Sequence, residues 1–206
     1  MKKKAKPVTL RIGPLQELSL AGKHHDLFEL YLLGQLNKTI WTQLLPGSLR
    51  VLTLSGSRVV EADMMAELGG LLRNLRTFRL LANSFLCQSM RFIKDGFPNL
   101  MILKIWKLPQ LEKVVIEEGA MLHLKELEFR HLKSLKTIEG IDYCEELENI
   151  SVVSEKAAPD FVDTPNKIKR KINLYKTIEA EALETTDDDG GYGTIINLKH
   201  VLYARC

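Results

Sequence analysis

Leu75-Arg-Thr-Phe78-Arg-Leu80, Leu100-Met-Ile-Leu103-Lys-Ile105, Leu124-Lys-Glu-Leu127-Glu-Phe129 and Leu147-Glu-Asn-Ile150-Ser-Val152 are four versions of one phrase, Leu-x-x-Leu-x-Leu with apolar exchanges. From Leu75 the phrase restarts at Leu100, Leu124 and Leu147, a nearly constant step. Within each phrase the alternation is that of a short strand. The fourth and sixth positions point to one side, and the third, fifth and seventh to the other. One such strand has nothing to bury its apolar side against, whereas copies stacked side by side make a continuous parallel sheet with a shared core.

Upstream, Leu27-Phe-Glu-Leu30-Tyr-Leu32 and Leu49-Arg-Val-Leu52-Thr-Leu54 continue the series toward Leu75 at a similar step. Self-similarity at a period of roughly 20–29 residues marks a leucine-rich repeat solenoid. The fold class expected is therefore an α/β repeat solenoid. It is a curved stack of about six to seven units, with a parallel sheet on its concave face and irregular short helices or turns on its convex side. Leu52, Phe78, Leu103 and Leu127 should then stand in one interior row. Leu15-Gln-Glu-Leu18-Ser-Leu20 is a further copy, but Leu15 precedes Leu27 by only about half the usual step. That short step leaves open whether it is a shortened terminal unit or a break in register. Leu68, Leu71 and Leu72 are spaced for one face of a short helix. Phe85 to Phe97 and Ile116 to Leu122 suit turns or helical fragments.

Three segments result. Residues 1–14 are a basic N-terminal segment with two prolines, to which no structure is assigned; 15–153 form the repeat domain. Residues 154–206 form a poorly ordered tail, with a short helix expected at 172–184; Ile195 to Leu202 is either a capping segment for the open end of the stack or a frayed extension.

Composition narrows the function. With 206 residues, 45% hydrophobic and 27% charged, the chain can build a real core. A net charge of +3, evenly spread, argues against nucleic acid as a partner. Cys87, Cys144 and Cys206 are odd in number and widely separated, which suits a reducing compartment. Met1-Lys-Lys-Lys-Ala-Lys-Pro7 leads into no apolar run, and no window nears the ~20 apolar residues of a membrane span. A cytoplasmic location is expected. No Gly-x-Ser-x-Gly elbow or His-Glu-x-x-His helix occurs, and His24-His25 lacks a completing ligand set. No catalytic residue, metal or cofactor is assigned, and Cys87 and Cys144 read as small apolar groups.

Function then falls to the sheet face opposite the core. Its third-position column is Glu29, Val51, Thr77, Ile102, Glu126, Asn149, and its fifth is Tyr31, Thr53, Arg79, Lys104, Glu128, Ser151. The seventh is Leu33, Ser55, Leu81, Trp106, Arg130, Val153. Aromatic and arginine side chains dominate protein interfaces, since they bury area with few directional contacts. The partner-binding set is thus Tyr31, Arg79, Leu81, Lys104, Trp106, Glu128, Arg130 and Val153. The alternative is that Lys104, Glu128 and Arg79 only make cross-strand pairs.

The block Phe97-Pro-Asn-Leu100-x-x-Leu103-x-Ile-Trp106-x-Leu-Pro109-x-Leu111, continuing through Glu117-Glu-Gly-Ala-Met121-x-x-Leu124-x-x-Leu127, resembles a known group. It is similar to the late repeats of plant intracellular nucleotide-binding, leucine-rich-repeat disease-resistance proteins of the coiled-coil class. Leu49-x-x-Leu-x-Leu-Ser55-Gly-Ser57 has the same style, and the likeness covers roughly residues 15–153. The resemblance implies a concave face that binds a pathogen effector or a guarded host protein, and contact with a nucleotide-binding domain in full-length relatives. The phosphate loop Gly-x-x-x-x-Gly-Lys-Ser/Thr of that domain does not occur. A fragment or truncated relative is therefore expected. The asparagine usual at the ninth position appears only as Asn83. Alternatives are a generic intracellular adaptor, such as a ubiquitin-ligase substrate receptor, and a truncated gene product without function.

Overall fold

A computed structural model describes residues 9–12, 27–36, 42–154, 159–162, 172–176 and 203–204. The strands, in chain order, are β1 (Thr9–Ile12), β2 (Glu29–Leu33), β3 (Val51–Ser55), β4 (Thr77–Leu81) and β5 (Ser89–Phe92). They continue with β6 (Ile102–Trp106), β7 (Lys113–Ile116), β8 (Glu126–Arg130) and β9 (Thr137–Glu139). The last are β10 (Asn149–Ser154), β11 (Asp160–Phe161), β12 (Ile172–Lys176) and β13 (Tyr203–Ala204). Helix α1 (Met64–Leu71) lies between β3 and β4. The result is a predominantly parallel, repeat-like α/β arrangement with few helices.

The phrase strands share one nine-stranded sheet, in the order β1-β2-β3-β4-β6-β8-β10-β12-β13. Its pairs are parallel except for β13 on β12. Register is set by the apolar pattern, because a slip by a single position would turn every leucine outward. The interior row runs Leu30, Leu52, Phe78, Leu103, Leu127, Ile150, each the direct partner of the next and each buried. The alignment expected of Leu52, Phe78, Leu103 and Leu127 is present. A second row, Leu32, Leu54, Leu80, Ile105, Phe129, Val152, lies next to it on the same side of the sheet. Fully burying one such side chain contributes about 1.5–3 kcal/mol. Phe97 fills the centre, with its ring 5.6 Å from Phe78 and 6.0 Å from Phe92.

The opposite side departs from expectation. Turns and helical fragments were expected between the phrases, but the structure has a second, four-stranded parallel sheet in the order β11-β9-β7-β5. Its inward residues are Met90, Val114 and Ile138, evenly spaced along the chain, with Phe92 and Ile116 alongside. Period-two alternation of β-branched and large apolar residues favours strands here. Helix α1 takes the place of a strand in its unit. Leu68 and Leu72 of the expected face are buried, but Leu71 is exposed, and Met64 and Met65 fill the face in its place.

The main sheet also reaches past both expected boundaries. The neighbour of β2 is β1, with Leu10 directly opposite Leu30. A full unit length therefore separates β1 from β2, and Leu15 to Leu20 lie outside the described residues. Beyond Val153, β12 pairs with β10 through Ile150↔Ile172 and Val152↔Leu174. Residues 172–176 are thus strand, where a helix was expected. Both strands escape the phrase because its opening leucine is replaced, by Pro7 in one case and Lys169 in the other. The capping segment expected at Ile195 to Leu202 lies outside the described residues, although β13 follows it directly.

Small devices tie unit to unit. The residue after the last outward position of β2, β3, β4, β6 and β8 has a positive φ: Gly34 (96°), Gly56 (66°), Ala82 (42°), Lys107 (54°) and His131 (52°). That left-handed turn aims its N–H at the next unit, as in Lys107 to Arg130 O (2.9 Å) and His131 to Val153 O (3.0 Å). Just before the phrases, Asn74 Nδ2 donates to Gly47 O (2.9 Å) and Asn99 Nδ2 to Arg73 O (2.8 Å). These amides bridge successive units from the lead-in turn, whereas Asn83 at the ninth position is exposed.

Candidate functional site

The side chains of β2, β3, β4, β6, β8 and β10 that point away from the core form one surface, the outer face of the main sheet. On it the eight residues singled out from the sequence fall into two register rows. Tyr31, Arg79, Lys104 and Glu128 belong to the fifth-position row, and Leu81, Trp106, Arg130 and Val153 to the seventh. Adjacent strands stand about 4.8 Å apart, so consecutive members of a row are in reach of one another.

The centre of the surface is a four-residue group on β6 and β8. Lys104 Nζ lies 2.9 Å from Glu128 Oε2, and Arg130 Nε donates to Glu128 Oε1. Both cations also sit against the Trp106 ring, the Arg130 guanidinium 4.9 Å and Lys104 Nζ 5.8 Å from its centroid. Such contacts contribute about 0.5–2 kcal/mol, more as water is excluded. Glu128 is only 8% exposed. It was expected to offer itself to a partner, yet it lies beneath the two cations and organises them. Trp106 is half-buried, and its Nε1 is covered with no hydrogen-bond partner among the described residues.

Arg79 reaches across two strands. Its Nη1 donates to Thr53 Oγ1 on β3 (3.4 Å) and stands 3.6 Å from Glu29 Oε1 on β2. Thr53 is buried under this side chain. Tyr31, Leu81 and Val153 are half-buried, and Leu33, at the β2 end of the seventh-position row, is 55% exposed. The cross-strand pairs and the candidate contact surface are therefore the same residues. Sequence reasoning missed Glu29 as the partner of Arg79, and Lys107 as an exposed cation beside Trp106. The spacing between units was the available signal for the first: Glu29 and Arg79 occupy outer positions two strands apart.

Known proteins share part of this sequence. No protein-family model matches the chain. Over 97 residues it is 34% identical to the disease susceptibility protein LOV1 of Arabidopsis thaliana, covering 47% of this chain and 10% of that protein. It is 35% identical over 98 residues to the disease resistance protein RPP8 of the same plant, covering 47% and 11%. The putative disease resistance protein At1g59780 is 34% identical over 94 residues, covering 45% and 10%. The chain resembles the plant disease-resistance proteins. It matches only about a tenth of the length of these curated relatives.

Away from the outer face, the chain shows no cluster of candidate metal-ligating groups among its described residues. No cluster of three or more His, Cys, Asp or Glu side chains is drawn together there, and no helix is long and apolar enough to cross a membrane. His24 and His25 lie outside the described residues. Burial, with a smaller contribution from Asp142, pushes the Cys144 thiol up to about 12. Cys87, whose Sγ donates to Val60 O (3.1 Å), is also raised, first by burial and then by Glu61. A thiol needs a depressed pKa to act as a nucleophile, and these shift the other way.

Proposed function

We propose that this chain is a non-catalytic protein-recognition module of plant innate immunity, working in the cytoplasm, and that its outer sheet face is the recognition surface. On this reading the sheet is the concave wall of a leucine-rich repeat solenoid, with about six to seven phrase-bearing units. The partner is a pathogen effector or a guarded host protein, and in a full-length receptor the same repeats would also touch a nucleotide-binding domain. The likeness to disease-resistance proteins supports the biological setting. The observation that carries the reading is the Lys104–Trp106–Glu128–Arg130 group. It places an aromatic ring and cations at the middle of the face. Arginine and tryptophan are the residues that most often anchor interfaces.

Affinity capture from plant tissue, with and without infection, tests it. A partner should be retained by the native chain, lost with Trp106→Ala or Arg79→Glu, and retained with Arg91→Glu on the opposite sheet. A partner that ignores both outer-face changes, or depends on Arg91 instead, would refute the assignment.

A further inference from the structure

The geometry points to an acidic docking site on the outer face: a partner's Asp or Glu side chains dock on the cations around Trp106. This deepens, and rests on, the reading of that face as a protein-binding surface. Lys104 and Arg130 stand against the indole and Lys107 follows Trp106 in the chain; with the carboxylate of Glu128 these make a local balance of three positive charges to one negative, or +2. Glu128 already serves two of the three and is itself almost out of solvent. Lys107 is exposed, and its backbone N–H bonds to Arg130 O (2.9 Å), which places it beside the pair. Register neighbours to either side bring no further carboxylate: Leu81 precedes Trp106, Val153 follows Arg130, and Ser151 follows Glu128. Glu126 lies one step back along β8, opposite Ile102, and Glu29 is held by Arg79.

The exposure of the cations leaves room for an incoming acceptor. The Arg130 side chain remains 43% exposed although Glu128 engages its Nε. A carboxylate entering beside Arg130 and Lys107 would offset the excess charge and offer oxygens to the two exposed cations. Arginine prefers such planar anions because its N–H groups match their geometry.

The test follows the Trp106 indole N–H signal in proton–nitrogen correlation spectra, assigned by its loss in Trp106→Phe. The probe is the capped peptide acetyl-Asp-Asp-Asp-amide, with acetyl-Lys-Lys-Lys-amide and inorganic phosphate as controls. Tri-aspartate should move the signal saturably. Its affinity should drop roughly fivefold or more in Lys107→Glu and on raising salt to about 0.5 M, where surface charges are screened within a few ångströms. Arg73→Glu, which removes an exposed cation of the lead-in turn, should change affinity less than about twofold. No saturable shift, an unchanged affinity in Lys107→Glu, or saturation by phosphate but not by tri-aspartate would each overturn the proposal. A Lys107-dependent response to tri-aspartate supports the site even where cellular capture shows no partner on the outer face, so the two readings fail separately.

Discussion

Arg130 lays its guanidinium 4.9 Å from the centre of the Trp106 ring, one strand across the sheet. The ring is thus partly covered by its own neighbours. This sets the expected cost of removing it. Trp106→Ala should destabilise by about 1–2 kcal/mol, the loss of cation contacts and partial burial. Phe78→Ala, in the interior row, should cost about 3–5 kcal/mol. Urea unfolding of both variants measures the difference, and equal costs would place Trp106 in the core.

Glu128 supports two cations from beneath. Replacement with Gln keeps its size and removes its charge, and should lower stability by about 1 kcal/mol. A double-mutant cycle with Lys104→Met should return a coupling of about 0.5–1.5 kcal/mol. Additive effects would mean that the 2.9 Å contact contributes nothing in solution.

Gly140 takes φ 74°, and a Cβ there would stand 1.9 Å from Ile116 O, which belongs to the backbone of β7. The backbone must move to admit even a methyl group. Gly140→Ala should therefore cost more than about 3 kcal/mol, in the tail reserved for steric failures. Lys107→Gly is the contrasting change. It relieves a left-handed residue at φ 54° and should raise stability by about 0.5 kcal/mol, once the greater freedom of unfolded glycine is subtracted. Thermal unfolding of the pair gives opposite shifts if both assignments hold.

Glu117 predicts a pH dependence. The Lys94 backbone N–H (2.9 Å) and then the Arg91 guanidinium (2.6 Å to Nε) hold its carboxyl below the ordinary value of 4.5. A depressed folded pKa contributes stability that is present above the unfolded pKa and is lost as pH falls through the folded one. The stability gap between the native chain and Glu117→Gln should be full at pH 7, shrink from about 4.5 downward, and close at lower pH. A gap that widens on acidification would contradict the geometry. Because the group is solvent-accessible, added salt should shrink the gap at pH 7 as well.

Cys144 should resist thiol reagents at pH 8 in the folded chain and react once denaturant is added, since burial holds it protonated to about 12. Cys87, half-buried and hydrogen-bonded to Val60 O, should react more slowly than a free thiol but faster than Cys144. Labelling rates read by mass spectrometry decide the order.

The interior row could be read directly from sequence because it depends on a local repeat. Leucine at the first, fourth and sixth positions fixes both strand and facing, whatever the neighbours are. The second sheet was just as regular, with Met90, Val114 and Ile138 evenly spaced, but each strand there is short and lies among turn residues. Strands β1 and β12 were hidden because one substituted residue, Pro7 or Lys169, removed the phrase's first leucine. Pairing with a formed neighbour supplied what local pattern lacked. On the outer face, residue types and register placed the candidate positions in rows, but not which of them would shield one another.

The sequence by itself determined that apolar side chains recur at a nearly constant step through most of the chain, and so which residues of each strand face inward. Periodicity carries that information because burial needs only the alternation of side chains along one strand. The tertiary structure alone decided that Glu128 lies under Lys104 and Arg130, that both cations rest on Trp106, and that Arg79 spans to Glu29. Those contacts join residues on different strands, and their geometry depends on how long side chains share the narrow space above a sheet once the core has fixed its register.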